Sequence, residues 1–443
     1  MKKAGFSMIL IYMGLLLIIL GTVLGNSLVL KLQEINGKYG MEKVIVNIKD
    51  LKTNKDGAPF TLEDIKNLKD IFKNSEITFS SYNEVDIEDV TNVRLIGTNY
   101  NYTNFNNVKF NKGYFFNKKD EELNEKIVVI DEKLAWKAFG SIDVLGKEIY
   151  ILEEKFKIVG IKSHEKMLEI YMPLESLLKI DECTRISHLE IKTSNSYTTK
   201  KNIEDMENAL KLIGKHPDDY NIYDYNIKSM QSIQKPRIIM FLLGTISIII
   251  TIKFAIYMIR DLYSFILREC KEDYLVDVLK RNIRKVVNKM LYIIIIILSV
   301  FIIWNIVKFN IYIPKEYISE EIISIKFLFN LLSNILWEGF LDTSYIISLQ
   351  EIKLNIILKI LSFVFYISIF IGIPLIYIGF YQLKLKPNLY YKNLKNLNLF
   401  FCISYALVLL LAYILKLPIF IDIKGLGIIL LFVYLNFVHK QYL

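Results

Sequence analysis

Cysteine is almost missing: the chain has three in 443 residues, Cys183, Cys270 and Cys402. Only Cys183 falls in the long polar stretch of the first half. No disulfide can close within that stretch, so its own core must hold it, as roughly 200 residues allow. Histidine is equally thin. His164, His188, His216 and His439 are scattered and share no metal-ligand spacing with cysteine, so no metal site is expected. A phosphate loop is missing too. The stretch "KAFGSIDVLGKEI" (Lys137 to Ile149) has a Gly-Lys pair after an earlier Gly. A phosphate loop needs four residues between its glycines, then Lys, then a Ser or Thr hydroxyl for magnesium. Here five residues separate Gly140 from Gly146, and Glu148 follows Lys147, where its carboxylate would repel phosphate. No nucleophile–base or acid–base constellation stands out, so neither catalytic residues nor a bound cofactor are expected.

Long apolar runs are what the chain has. It is 53% hydrophobic, with a mean hydropathy of +0.33, too apolar for an ordinary soluble protein. Its apolar residues gather in blocks of the roughly 20 residues that cross a bilayer. They run from Gly5 to Gly25, Ile238 to Ile259, Met290 to Val307, Leu354 to Phe380, Leu397 to Leu415 and Pro418 to Val438. Lys253 and Lys359 interrupt the second and fourth, and Asp422 and Lys424 open the last. An ionisable residue in a span is a functional candidate by default, and snorkelling to a nearby interface is the other reading.

The expected organisation is a span in 1–25, a large polar domain in 26–237 and a span in 238–259. A loop in 260–289, a span in 290–307, a loop in 308–353 and a span in 354–380 follow. A loop in 381–396 and two more spans within 397–438 close the chain. "KK" before the first block and small residues at its end also fit a cleaved signal peptide. The block is longer than a usual signal core, so a retained span is expected.

Lys and Arg set the orientation. The loop after the second span carries Arg260, Arg268, Lys271, Lys280, Arg281, Arg284, Lys285 and Lys289. The loop after the fourth carries Lys384, Lys386, Lys392 and Lys395, whereas the loop after the third is rich in Glu and Asp. Within that third loop, Glu320 to Leu341 reads as an amphipathic helix, with Trp337 suited to the interface. The expectation is a multi-pass protein of the cell membrane with both termini cytoplasmic and the large domain extracytoplasmic. The net charge of +9 is then a matter of topology and anionic lipid, not of nucleic acid.

Within the polar domain, Glu42 to Leu51 alternates as a strand, with Val44, Val46 and Ile48 on one face and Lys43, Asn47 and Lys49 on the other. Thr61 to Phe72 reads as a helix capped by Thr61, with Glu63 and Asp64 in its first turn. Strand character resumes in Ser75 to Val85 and again in "VTNVRLIGTNYNY" from Val90. "KIVVID" is a buried-type strand whose Asp131 can cap a short helix ending at Gly140, and Lys147 to Ile161 is a hairpin. Gly146 then sits in a turn, where a positive φ suits glycine. The domain is α+β, and the whole is a membrane α-helical bundle of about six transmembrane helices carrying it after the first.

These pieces resemble the periplasmic core domain of MacB-like permeases, the FtsX-type membrane subunits of ABC transporters. Ile96-Gly97-Thr98 is similar to the family's strand ending in glycine, and Gly113-Tyr114-Phe115-Phe116 with Asp120 to its G-R-x-F element, Tyr114 standing in place of Arg. Ala138-Phe139-Gly140, Leu145 to Ile149 around Gly146, and Phe156 to Ile161 with Gly160 match later pieces, as does Pro173 in "YMPLESL". The resemblance runs from the first span to about the fourth, after which Pro387 is similar in placement to the last proline of the family's tail. It leaves the last two spans as an added hairpin.

The resemblance implies a permease that couples ATP hydrolysis by a separate ATPase subunit to motion of the outer domain, for export or mechanotransmission. It also implies a homodimer or paired permease and a possible extracytoplasmic protein partner. In the family the loop after the second span docks into the ATPase. Here Tyr263 to Lys289 reads as a helix with an apolar stripe at Leu275, Val278, Leu279, Ile283 and Val286. Arg268, Glu269 and Glu272 supply the charged entry, and the family's two glycines are absent. A basic helix lying on anionic lipid fits the same stripe. A membrane signalling or regulatory protein, whose outer domain senses or activates a cell-envelope partner, is the alternative to the permease.

Overall fold

The computed structural model describes residues 2–49, 59–73, 75–87, 90–165, 167–181, 183–193, 199–271, 274–312, 348–383 and 390–442. Glu272, Pro387 and the amphipathic helix expected over Glu320 to Leu341 with Trp337 lie outside the described residues. The chain divides into a helical unit (Met1–Lys31, Gln231–Tyr312 and Leu358–Leu443) and an αβ unit (Leu32–Met230 and Ile313–Ile357).

The first helix, α1 (Lys2–Ile19), passes through a π-helical turn at Leu20–Leu24 into α2 (Gly25–Ile35). Ile11, Leu15 and Ile18 are fully buried, at the spacing that stacks side chains on one helix face.

The αβ unit follows in chain order. β1 (Lys43–Ile48) leads to α3 (Leu62–Ile71), β2 (Ile77–Ile87), β3 (Val90–Thr98) and α4 (Tyr102–Phe105). Then come β4 (Phe110–Gly113), α5 (Lys118–Glu122), β5 (Ile127–Asp131) and α6 (Glu132–Phe139). The hairpin β6 (Glu148–Ile151) and β7 (Glu154–Lys162) precedes β8 (Glu169–Pro173) and α7 (Leu174–Ile180). β9 (His188–Lys192), α8 (Thr199–Leu212) and β10 (Tyr220–Asp224) complete the unit. One ten-stranded sheet has the order β10-β1-β9-β2-β3-β8-β5-β7-β4, with β6 paired to β7. Its named pairs are antiparallel except β3 with β8 and β5 with β7.

Local chemistry sets the helix ends. Thr61 Oγ1 accepts from the Asp64 amide at 3.1 Å while Asp64 Oδ2 accepts from the Thr61 amide at 2.8 Å, a reciprocal capping box at the start of α3. Asp131 Oδ1 accepts from Lys133 N at 2.9 Å to start α6, and Gly140 ends it in the left-handed region at φ +67°. Leu152 and Glu153 turn the β6–β7 hairpin with φ of +49° and +68°, the geometry that matches strand twist.

One strand hides both of its faces. β1 alternates as expected, with Val44, Val46 and Ile48 in an apolar core beside Leu68 and Leu189. Its opposite face is buried as well, Lys43 and Asn47 included. β1 lies between β10 and β9, and charged groups on the second face find partners there, so polarity in the alternation did not mean solvent.

The helical unit continues with α9 (Tyr225–Glu269), α10 (Leu275–Arg281) and α11 (Ile283–Val307). α12 (Leu349–Ile367) passes through a π-helical turn at Ser368–Gly372 into α13 (Ile373–Gln382). α14 (Tyr390–Ile414) and α15 (Ile423–Tyr442) end the chain. Among the described residues, five stretches are helical, long and apolar enough to cross a bilayer: Phe6–Ile35, Tyr225–Glu269, Ile283–Val307, Leu349–Gln382 and Asn393–Ile414. A further apolar helix, Ile423–His439, is shorter. It starts beyond Pro418 because Asp422 caps it, its Oδ1 accepting from Gly425 N at 2.9 Å.

Candidate functional site

The loop after the second apolar block is a helix–break–helix corner rather than one helix. α9 stops at Glu269, α10 starts after an extended Tyr274, and Asn282 (φ −110°, ψ +19°) breaks α10 from α11. Glu269 fastens the corner: its carboxylate accepts from Arg281 Nη2 at 3.0 Å and from Asn282 Nδ2 at 3.5 Å. Lys289 pairs with Asp261 at 2.5 Å, and the Lys285 and Lys289 ammonium groups lie over the Phe265 ring. Arg268 donates to the Ser264 carbonyl at 3.3 Å within its own helix.

The break divides the expected apolar stripe. Val278 and Val286 are buried and Leu279 half-buried, while Leu275 and Ile283 are 55% and 62% exposed. Tyr274, Val276 and Val287 are exposed beside them, three residues that periodicity from a single helix did not select. Glu269 and Arg281 are 12 residues apart, a spacing no helical pattern signals. The corner thus presents exposed apolar side chains next to Lys280, Arg281, Arg284 and Lys285, a surface that can meet an acidic-rimmed groove or a lipid headgroup layer.

The other residues singled out sit at structural positions. Gly97 lies in β3, where a Cβ would come 2.6 Å from Leu177 of α7. Gly113 has φ +73° and would put a Cβ 2.2 Å from the Val159 carbonyl, and a Cβ on Gly160 would come 2.3 Å from the Tyr114 carbonyl, so two segments touch backbone to backbone there. Asp120 makes a reciprocal cap with Asn117 at the start of α5. Pro173 ends β8 and precedes α7. Gly146 has φ +81°, and its N–H donates to the Ile158 carbonyl at 2.8 Å. Lys147 N donates to Val144 O at 3.1 Å, and its ammonium lies 5.6 Å from the centre of the Phe139 ring. The amides of this Gly-Lys turn are spent on β7 and on the turn itself, so they hold a hairpin and not a phosphate.

Sequence spacing did not reveal the polar lattice inside the sheet. Lys43 Nζ, on β1, donates to Glu190 of β9 at 2.5 Å and to the Phe105 carbonyl at 3.0 Å. Glu190 also accepts from Asn106 at 2.9 Å and meets His188 Nε2 at 3.0 Å, whose Nδ1 meets Asn47. Burial alone would raise the Glu190 carboxyl, but Lys43 and then His188 outweigh it and hold it at about 2. A second lattice joins Lys162 to Glu169, which accepts from the Tyr171 hydroxyl at 2.8 Å. Nearby, His164 meets Asp131 at 2.7 Å, and burial pushes the Asp131 carboxyl up despite that contact. Next to His164, Glu165 pairs with Lys353 at the start of α12, where the Ser348 hydroxyl caps Glu351 N at 3.1 Å. Among the described residues no group of three or more His, Cys, Asp or Glu is placed to hold a metal ion.

Residues 4–210 match the family model of the MacB-like periplasmic core domain. The macrolide export ATP-binding/permease protein MacB of Aggregatibacter actinomycetemcomitans is 24% identical over 225 residues, 44% of this chain and 35% of that protein. The match thus spans about a third of the length of the curated relative. Among solved structures, the periplasmic region of MacB from Actinobacillus actinomycetemcomitans is 18% identical, covering 46% of this chain and 95% of that one, with a TM-score of 0.38. The extracellular domain of the noncanonic ABC-type transporter YknZ from Gram-positive bacteria is 21% identical over 41% of this chain and 99% of that one, with a TM-score of 0.35. The chain is similar to MacB-like ABC transporter permeases. It is a membrane protein with a mixed αβ domain of extracytoplasmic type early in the chain and several apolar helices after it.

Proposed function

We propose that this chain is the membrane subunit of an ABC transporter and couples ATP hydrolysis by a separate ATPase subunit to movement of its extracytoplasmic domain. The observation that carries the reading is the α9–α10–α11 corner. It sets exposed Leu275 and Ile283 beside a row of basic residues and is clasped by Glu269 and Arg281. Interface energy concentrates in a few apolar anchors ringed by polar groups, and this corner has that composition. α9 supports the reading further: it is one helix of 45 residues, about 68 Å at the helical rise. In chain order it joins β10 to the clasp, with Pro236 inside it. The two ends of the transmission are then the corner, on the ATPase side, and the sheet with its Glu165–Lys353 contact on the other. Both termini lie in the cytoplasm in this scheme, and two permease chains act together. Whether the output is export or mechanical work on a cell-envelope partner depends on what the αβ domain engages.

A pull-down of a candidate ABC ATPase subunit with the full-length chain tests the reading. Leu275→Asp and Ile283→Asp each place a charge on an exposed position, so folding is kept while docking is lost by about 2 kcal/mol or more per anchor. Replacement of Lys280, Arg284 and Lys285 by Gln should weaken docking less. Full ATPase recovery with both Asp variants, together with salt-sensitive binding of the wild type to anionic vesicles, would assign the corner to lipid instead. Orientation is checked by impermeant thiol labelling of Leu123→Cys, accessible from outside, and Lys280→Cys, accessible only from inside, in a chain without its native cysteines.

A further inference from the structure

The family resemblance leaves α14 and α15 unexplained, and α15 forms one wall of a cavity within the helical unit. The cavity has a volume of about 600 Å³, and α9 and α11 supply its other walls through residues such as Ile250, Phe254 and Ile303. That volume lies within the roughly 300–1,000 Å³ typical of ligand sites. The lining is hydrocarbon along almost its whole length. Its two hydroxyl residues have their donors used already: Thr251 donates to the Ser247 carbonyl at 2.8 Å and Ser299 to the Ile296 carbonyl at 2.7 Å, each on its own helix.

Shape decides what fits. Along α15 the lining runs from Ile423 to His439, about 24 Å at 1.5 Å per residue. The groove is elongated and apolar, which suits a flexible hydrocarbon chain. It is also shorter than the roughly 30 Å hydrocarbon core that a partner helix must cross. Gly427 keeps it open, since nothing lies within 4 Å of the place a Cβ would take.

Charge decides the head. Lys424 lines the groove in the first turn of α15, at the helix end where a bilayer places its headgroups. Its side chain is exposed, and among the described residues it has no ion-pair partner. The adjacent Asp422 is committed elsewhere, to the Gly425 amide and, at 3.5 Å, to Asn26 Nδ2. We propose that the α9–α11–α15 groove holds one acyl chain of an anionic phospholipid of the bilayer, with the lipid phosphate against Lys424. The added hairpin is then a lipid-binding element of this permease, and its occupancy ties the packing of α9 to membrane composition.

The test uses the full-length chain in bilayer discs of equimolar phosphatidylglycerol and phosphatidylcholine, released and weighed by native mass spectrometry. The wild type is expected to retain one phosphatidylglycerol per chain. Gly427→Trp and, separately, Ile302→Trp fill the groove from opposite walls, and each should reduce that retention to background while helical content and melting stay as in the wild type. Lys424→Gln should keep a lipid chain bound but lower the preference for phosphatidylglycerol about fivefold, the effect of one basic residue at a membrane surface. Retention unchanged in either folded Trp variant overturns the proposal. So does efficient disulfide cross-linking of Gly427→Cys between two copies, which would make the groove a protein interface. Equal loss of both lipids in Lys424→Gln would remove the headgroup assignment.

Discussion

The αβ unit and the helical unit bury different things. In the sheet, whole ion pairs are inside: Lys43 with Glu190 and Lys162 with Glu169 are 1–3% exposed. In the helical unit, close approach depends on missing side chains. A Cβ on Gly14 would come 2.6 Å from the Gly372 carbonyl, one on Gly21 would come 2.2 Å from Ser368 Oγ, and one on Gly379 would come 2.6 Å from Ile11. The solvent explains the contrast. A domain in water has hydrophobic burial to offset the desolvation of a charge, provided every charge is paired. Between helices in lipid the surrounding tails are as apolar as leucine, so contact rests on small residues that let backbones meet.

The largest test of that contrast is in the sheet. Glu190→Ala leaves Lys43 and His188 buried without their carboxylate and should destabilise the unit by about 3–5 kcal/mol, read from chemical denaturation of the full-length protein followed by αβ-unit fluorescence. The pH dependence gives a second measure. The Glu190 carboxyl falls from 4.5 to about 2 on folding, worth about 3 kcal/mol. Because the folded value is the lower one, that stability is fully present above the unfolded value and is lost as pH falls through about 2. Stability independent of pH between roughly 5 and 2 would show that the pair is not held as described.

Next in size is the helix contact. Gly21→Leu drives a side chain into Ser368 and should cost about 1–3 kcal/mol, seen as a lower melting temperature in detergent. Gly427→Ala, which meets open space, should leave melting unchanged. If the two behave alike, close packing is not what joins these helices.

Gly146→Val should cost about 1 kcal/mol through backbone strain alone, since φ is +81° and no neighbour lies within 4 Å. Gly146→Asn should recover part of it, because Asn tolerates the left-handed region. The smallest effect belongs to Lys353→Gln, which removes a partly exposed pair with Glu165 and should change stability by less than about 1 kcal/mol. A larger loss would mean that the start of α12 is held to the sheet mainly through that pair.

Legibility followed the range of the interactions. Thr61, Asp131 and Gly140 were readable because a cap is settled within three or four residues. The hairpin around Leu152 and Glu153 was readable for the same reason. The stripe at Leu275, Leu279 and Ile283 was legible as apolar but not as a surface, since it depends on the break at Asn282 and on Glu269 reaching Arg281. The lattice around Glu190 was invisible: its partners come from β1, β9 and the end of α4, with Lys43 147 residues away in the chain.

By itself the sequence determined the alternation of apolar blocks with one large polar stretch, the caps at Thr61, Asp131 and Gly140 with the β6–β7 turn, and the mismatch of the Gly-Lys turn to a phosphate loop. Each of these follows from composition or from contacts a few residues apart, where the backbone has little choice. Only the tertiary structure decided that the polar face of β1 is inside, that the corner exposes Leu275 and Ile283 while hiding Val278 and Val286, and that α15 walls a groove with α9 and α11. Those outcomes depend on which distant segments meet. That is governed by the packing of all elements at once, because a lysine or an isoleucine has the same local preferences whether its eventual neighbour is a glutamate, a lipid or water.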